Sequence, residues 1–147
     1  MNRLREVVKG TNYSIKHYST GLTFIIHGPT QSHVAFTNNG NHLRILEGQT
    51  SNSAQGRGIG TNLRALATLY AILSNKPISQ TGKNIGDRSK KRKAKNPSAK
   101  NIPTSTFILR ERLGWKQVGN SNRNSNFIPK RNNNKGVINW LSHRFTL

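Results

Sequence analysis

Along the first fifty residues, apolar side chains alternate with polar ones in short β-branched and aromatic runs, each cut off by Gly and Asn. That pattern is one of strands joined by tight turns. Leu22, Phe24 and Ile26 alternate with Thr23 and Ile25, Val34 and Phe36 flank Ala35, and Leu43 and Ile45 flank Arg44. Between them lie Gly28-Pro29-Thr30 and Asn38-Asn39-Gly40-Asn41, and the second supplies residue types that accept the positive φ of a tight turn. An antiparallel meander is predicted, its last strand running from about Leu43 to Thr50. After Glu47 the period changes: Ile59, Leu63, Leu66, Tyr70 and Leu73 follow at spacings of four, three, four and three, which places them on one face of a helix. Pro77 closes that helix.

The second half of the chain is written differently. Residues 82–101 hold almost no apolar side chains, so they cannot bury enough surface to offset their ordering entropy, and a flexible basic insertion is expected. A short helix is expected from about Thr104 to Leu113, with Phe107, Ile108, Leu109 and Leu113 supplying its apolar face and Gly114 stopping it. An Asn-rich polar loop at about 120–136 precedes Val137-Ile138-Asn139-Trp140-Leu141, which reads as a last strand. No internal repeat is visible. The 147 residues suit one domain, 1–147, of mixed α/β (α+β) class.

Composition narrows the chemistry. With no Cys there is no disulfide framework, no thiolate metal site and no cysteine nucleophile. The five His (His17, His27, His33, His42, His143) show no metal-ligand spacing, so no metal is expected. Apolar runs such as Leu22 to Ile26 fall far short of the roughly 18 residues that a membrane span needs, so no membrane partner is expected. The charge is lopsided: 24 Lys and Arg face 4 Asp and Glu, a formal +20 at pH 7.

The most informative stretch is Gln55-Gly56-Arg57-Gly58-Ile59-Gly60-Thr61, between a predicted strand and the amphipathic helix. Glycines let the backbone turn sharply and approach a ligand without a Cβ in the way, while the helix's first N–H groups lack internal acceptors; a phosphate or diphosphate suits such a place. A dinucleotide fingerprint does not fit, because the third glycine comes one position early and Thr61 takes the sixth place. No Gly-Lys-Ser/Thr triplet of a Walker loop follows. The plainer alternative is a set of glycines that only cap a tightly packed helix.

Gln55-Gly56-Arg57-Gly58-Ile59-Gly60 resembles the Gln/Arg-x-x-Gly-x-Gly/Ala loop of the Gcn5-related N-acetyltransferase (GNAT) superfamily. Glu111-Arg112-Leu113-Gly114-Trp115-Lys116-Gln117-Val118-Gly119 is similar to that family's late Glu-Lys-Leu-Gly-Phe segment, and the two stand in family order. The resemblance covers roughly residues 20–120. It implies a bent, mostly antiparallel sheet flanked by helices, pantetheine held where two central strands splay, and acetyl-CoA as co-substrate with its diphosphate on the backbone of Gln55 to Thr61. It also implies a catalytic Glu on the strand before the glycine turn, which Glu47 matches. The residue's parity with Leu43 and Ile45 suggests instead a core-facing position or a structural salt bridge. Two departures stand out. Arg110 occupies the position where the family often has the Tyr that protonates the thiolate, so Tyr70, Tyr18, Tyr13 or water must substitute, or release is unassisted, or catalysis is lost; Tyr70 is the catalytic candidate among them. And little room remains before Leu22 for the family's amino-terminal strand and helix pair.

The charge surplus bears on partners. Lys83, Arg88, Lys90, Lys91, Arg92, Lys93, Lys95 and Lys100 form a basic run suited to nucleic acid or another polyanion, since each neutralised phosphate releases counterions. A cationic acceptor tail would be repelled. Two functions follow as expectations: an acetyl-CoA-dependent N-acetyltransferase acting on an amine near nucleic acid or on an acidic partner, or a non-catalytic basic protein of the same fold associated with nucleic acid or a phage virion. The expected location is the cytoplasm or a virion, or the nucleus in a eukaryotic host.

Overall fold

The two Gly- and Asn-containing breaks become hairpin turns. The computed structural model describes residues 2–51, 58–74, 76, 78–80, 113, 116–118, 126–128, 141–143 and 145. Helix α1 (Asn2–Val8) precedes strands β1 (Tyr13–His17), β2 (Leu22–His27), β3 (Ser32–Asn38) and β4 (Leu43–Gln49). Helix α2 (Ile59–Leu73) leads to β5 (Ile78–Gln80), followed by β6 (Lys116–Val118) and β7 (Asn126–Ile128). Strands β1 to β4 are antiparallel neighbours in chain order, and β5 joins β4 in parallel after the α2 crossover. β6 and β7 pair separately, with β7 alongside β5. Among the described residues this is a mixed α+β fold: an open, mostly antiparallel five-stranded sheet with two helices.

The turn between β3 and β4 is built by its own side chains. Gly40 takes φ 95°, and its N–H donates to Asn38 Oδ1 at 3.0 Å, while the His42 N–H donates to Asn39 Oδ1 at 2.9 Å. Register then decides which face is the core. Ile25 pairs with Val34 and Thr23 with Phe36, so the phase of β2 buried under the helices is Thr23, Ile25 and His27. Leu22, Phe24 and Ile26 sit on the other face, half-buried.

Ile25, Val34, Phe36, Leu43 and Ile45 meet Leu63, Leu66 and Tyr70 of α2 in one apolar cluster with Leu4 and Val8 of α1 and with Leu113, Leu141 and Phe145. The single apolar face expected of α2 is corrected here: every residue from Ile59 to Ala71 is buried, while Leu73 is 37% exposed. The sheet covers one side, and α1 with the C-terminal Leu141 and Phe145 belong to the same cluster, so Asn62, Arg64 and Thr68 are enclosed as well.

Three other expectations change. The stretch before Leu22 holds a seven-residue helix and a five-residue strand, anchored by buried Leu4 and Val8. Leu141 is helical rather than extended, with the Phe145 N–H donating to its carbonyl at 2.7 Å; a five-residue apolar run does not separate strand from buried helix by period alone. β7 forms inside the expected Asn-rich loop, because three-residue strands leave no readable period. The basic segment 82–101, the helix expected from Thr104, and residues 137–140 lie outside the described residues.

Candidate functional site: the bulged strand and the start of α2

Glu47 owes its position to a β-bulge. Ala35 pairs with Glu47 and Phe36 with Ile45, leaving Leu46 as the extra residue on β4. Strict alternation would turn Glu47 into the core with Leu43 and Ile45. The bulge reverses the phase, so Glu47 stands with Ala35 on the face away from α2 and is 62% exposed, correcting the core-facing alternative.

Its partner is His33, whose Nε2 lies 3.0 Å from Glu47 Oε1. Register sets His33 against Gln49, making Glu47 its diagonal neighbour across the β3–β4 pair. The other ring nitrogen, Nδ1, lies 3.5 Å from the Gln31 carbonyl. The result is a carboxylate open to solvent and steadied by an imidazole, which is an arrangement able to receive a proton. Sequence reasoning passed over His33, since only strand pairing brings residues 33 and 47 together.

Beyond β4 the chain returns as α2. Gly58 is its N-cap residue at φ 79° and ψ 5°, the left-handed region, where a residue with a Cβ costs about 1–2 kcal/mol more. The Gly58 carbonyl accepts the Asn62 N–H at 2.9 Å. Glycine offers no capping side chain and the first turn holds no acidic residue, so the positive end of the helix dipole is not offset from within the turn. Ile59, Gly60 and Thr61 are buried. Gln55, Gly56 and Arg57 lie outside the described residues, as do Lys83, Arg88, Lys90, Lys91, Arg92, Lys93, Lys95 and Lys100.

Behind this turn lies a buried cation that the sequence did not announce. Arg64 is 4% exposed, its Nη1 donates to the Gly60 carbonyl at 3.4 Å, and burial pulls its pKa down to about 10, below the usual arginine range. Its guanidinium lies against Gly48 of β4: a Cβ there would stand 2.9 Å from Cζ and 3.1 Å from Nη1. The available signal was Gly48 itself, since a glycine inside a strand often marks a close approach.

A string of buried and half-buried polar groups ties down the residues on either side of 52–57. Asn62 Nδ2 donates to the Tyr13 hydroxyl at 2.9 Å, and the Tyr13 ring stands 5.0 Å from that of His27. His27 Nδ1 lies 2.8 Å from Thr30 Oγ1, whose hydroxyl donates to Ser32 Oγ at 2.9 Å; Ser32 Oγ in turn accepts the Ser51 N–H at 3.0 Å. Where the chain leaves the sheet and where it enters α2 are thus both fixed to the ends of β1, β2 and β3.

Tyr70 is on the opposite side of the sheet from Glu47. It is 7% exposed with its ring centroid 5.5 Å from that of Phe36, and Phe36 faces α2 while Ala35 faces Glu47. The structure therefore does not bring Glu47 and Tyr70 together. Tyr13 lies on the α2 side, and Tyr18, 40% exposed, on the side of Glu47. His17 and His42 are bonded to Thr23 Oγ1 at 2.7 Å and Ser79 Oγ at 2.8 Å, and among the described residues no group of three His, Asp or Glu is placed to hold a metal. No described helix is long and apolar enough to cross a membrane. The chain matches no known protein-family model and no curated protein sequence.

Proposed function

We propose that the chain is an acetyl-CoA-dependent N-acetyltransferase of GNAT-like architecture, acting on an amine near nucleic acid or on an acidic partner. One observation carries it: the β4 bulge presents the His33-steadied carboxylate of Glu47 on the strand that runs into a helix opened by a left-handed glycine. Support also comes from the topology, four antiparallel strands followed by a parallel β4–α2–β5 crossover. The described β4–β5 pairing ends at Ile45 with Gln80, one residue before the bulge.

Support for an acyl-CoA comes from the start of α2. A helix start with no capping side chain and no first-turn acid suits a diphosphate, and Arg64 beneath it adds positive potential. Acetyl-CoA supplies a thioester whose acetyl group passes to an amine nitrogen as the C–S bond breaks. Glu47 takes the proton that the ammonium must lose before its nitrogen can attack, and His33 holds the carboxylate in place. Tyr70, buried on the other face, is not placed to protonate a departing thiolate.

Calorimetric titration with acetyl-CoA, and thiol release with tRNA, DNA or an acidic protein as acceptor, test this reading. Glu47→Gln should lower thiol release about 100-fold or more while leaving acetyl-CoA affinity within twofold. No binding at millimolar acetyl-CoA refutes it. A second reading, a non-catalytic nucleic-acid-associated or virion protein of the same architecture, is favoured by the separation of Tyr70 from Glu47. Salt-sensitive DNA binding with no acetyl-CoA affinity would select it.

A further inference from the structure

The sheet face turned away from α2 carries a row of rings that crosses three strands. Tyr18 follows β1 directly, and its ring centroid is 5.7 Å from that of Phe24 on β2, which in turn is 5.6 Å from His33 on β3. Register places all of them on one face: Phe24 pairs with Lys16 and with Ala35, and His33 with Ile26. Lys16 Nζ stands 5.3 Å from the Tyr18 ring centroid, a cation–π contact. Tyr18, at one end of the row, is 40% exposed, and Phe24 and His33 are half-buried.

We propose that this face is a docking surface for single-stranded nucleic acid, with bases stacking on the Tyr18–Phe24 row and phosphates meeting Lys16. It deepens the nucleic-acid part of the proposed function and does not depend on acetyl transfer. Charge complementarity selects the partner class: the chain carries +20, and Glu47, already hydrogen-bonded to His33, is the one carboxylate on the described strands. The rings select the form. An exposed tyrosine beside half-buried rings on an antiparallel sheet gives unstacked bases a surface, whereas a duplex offers only its phosphates and an acidic peptide has no use for the rings. A strand laid along the row ends beside Glu47, where an amine it carries would meet the proposed base.

The test uses the full chain and fluorescence anisotropy with labelled 15-mers of dT and U, a matched duplex, and polyglutamate as competitor. Tyr18→Ala should weaken single-strand binding about tenfold or more, while Tyr18→Phe stays within about twofold of the parent. Lys16→Ala should lower the slope of log affinity against log salt by about one. Leu73→Ala, on exposed α2 surface, should change nothing. Affinity of Tyr18→Ala within twofold of the parent at unchanged melting temperature overturns the proposal. So does duplex bound as tightly as single strand, or polyglutamate competing as well as the unlabelled oligomer. Tyr18-dependent oligomer binding in a chain that shows no acetyl-CoA affinity upholds this surface and removes the acetyltransferase reading alone.

Discussion

Replacing Gly48 with Ala tests how closely α2 is bound to β4. The new methyl would clash with Arg64 Nη2 and stand 2.9 Å from Cζ and 3.1 Å from Nη1, closer than van der Waals contact, against the side chain of a residue only 4% exposed. Overpacking of this kind costs about 1–3 kcal/mol, and the strand gains back about 0.5–1 kcal/mol when Ala replaces Gly, so Gly48→Ala should lose about 1–2 kcal/mol. For a chain of this size that is a fall of a few degrees in melting temperature. Arg64→Met removes the obstructing head, and in that background Gly48→Ala should become neutral or stabilising. Urea denaturation of the parent, both single variants and the double variant closes the cycle. Additivity within about 0.5 kcal/mol would refute the packing argument.

The same arginine predicts an alkaline pH effect. Burial lowers its pKa to about 10, below the usual arginine range, so the folded state gives up the proton before the unfolded state does. Above about pH 10 the unfolded chain binds more protons, so Arg64's contribution to stability rises with pH; below pH 10 the buried charge keeps its desolvation cost. The parent should therefore gain on Arg64→Met as pH goes from 9 to 11. An unchanged difference refutes this.

Gly40→Ala isolates backbone strain, because no atom lies within 4 Å of the added Cβ while φ is 95°; a loss of about 1–2 kcal/mol by urea denaturation is expected. Tyr70→Phe should leave acetyl transfer within twofold, since that hydroxyl is on the far side of the sheet from Glu47, and a 100-fold fall in kcat would restore Tyr70 as the proton donor. Changing Lys90, Lys91, Arg92 and Lys93 together to Gln should reduce the salt slope of DNA binding by up to about 3.6, measured by anisotropy across a salt series.

The amino-acid sequence determined by itself what depends on near neighbours. The alternation in residues 22–49, the Asn38 to Asn41 turn and the helical spacing from Ile59 each state a local conformational preference, and they set strand, turn and helix where the fold has them. Glu47 was legible as a candidate because acids are so few. What tertiary structure alone decided depends on pairs of residues distant in the chain. The phase of Thr23, Ile25 and His27 under the helices follows from register with β3, and the outward turn of Glu47 follows from one extra residue on β4 opposite Ala35. His33 became the partner of that carboxylate, and Arg64 a buried cation against Gly48, only when separate elements closed on each other. Leu141 reads as strand in isolation and folds as helix because its apolar run states that it is buried but not in which backbone form. Periodicity is a property of one segment. Which face it shows, and to whom, is settled by the segments packed against it.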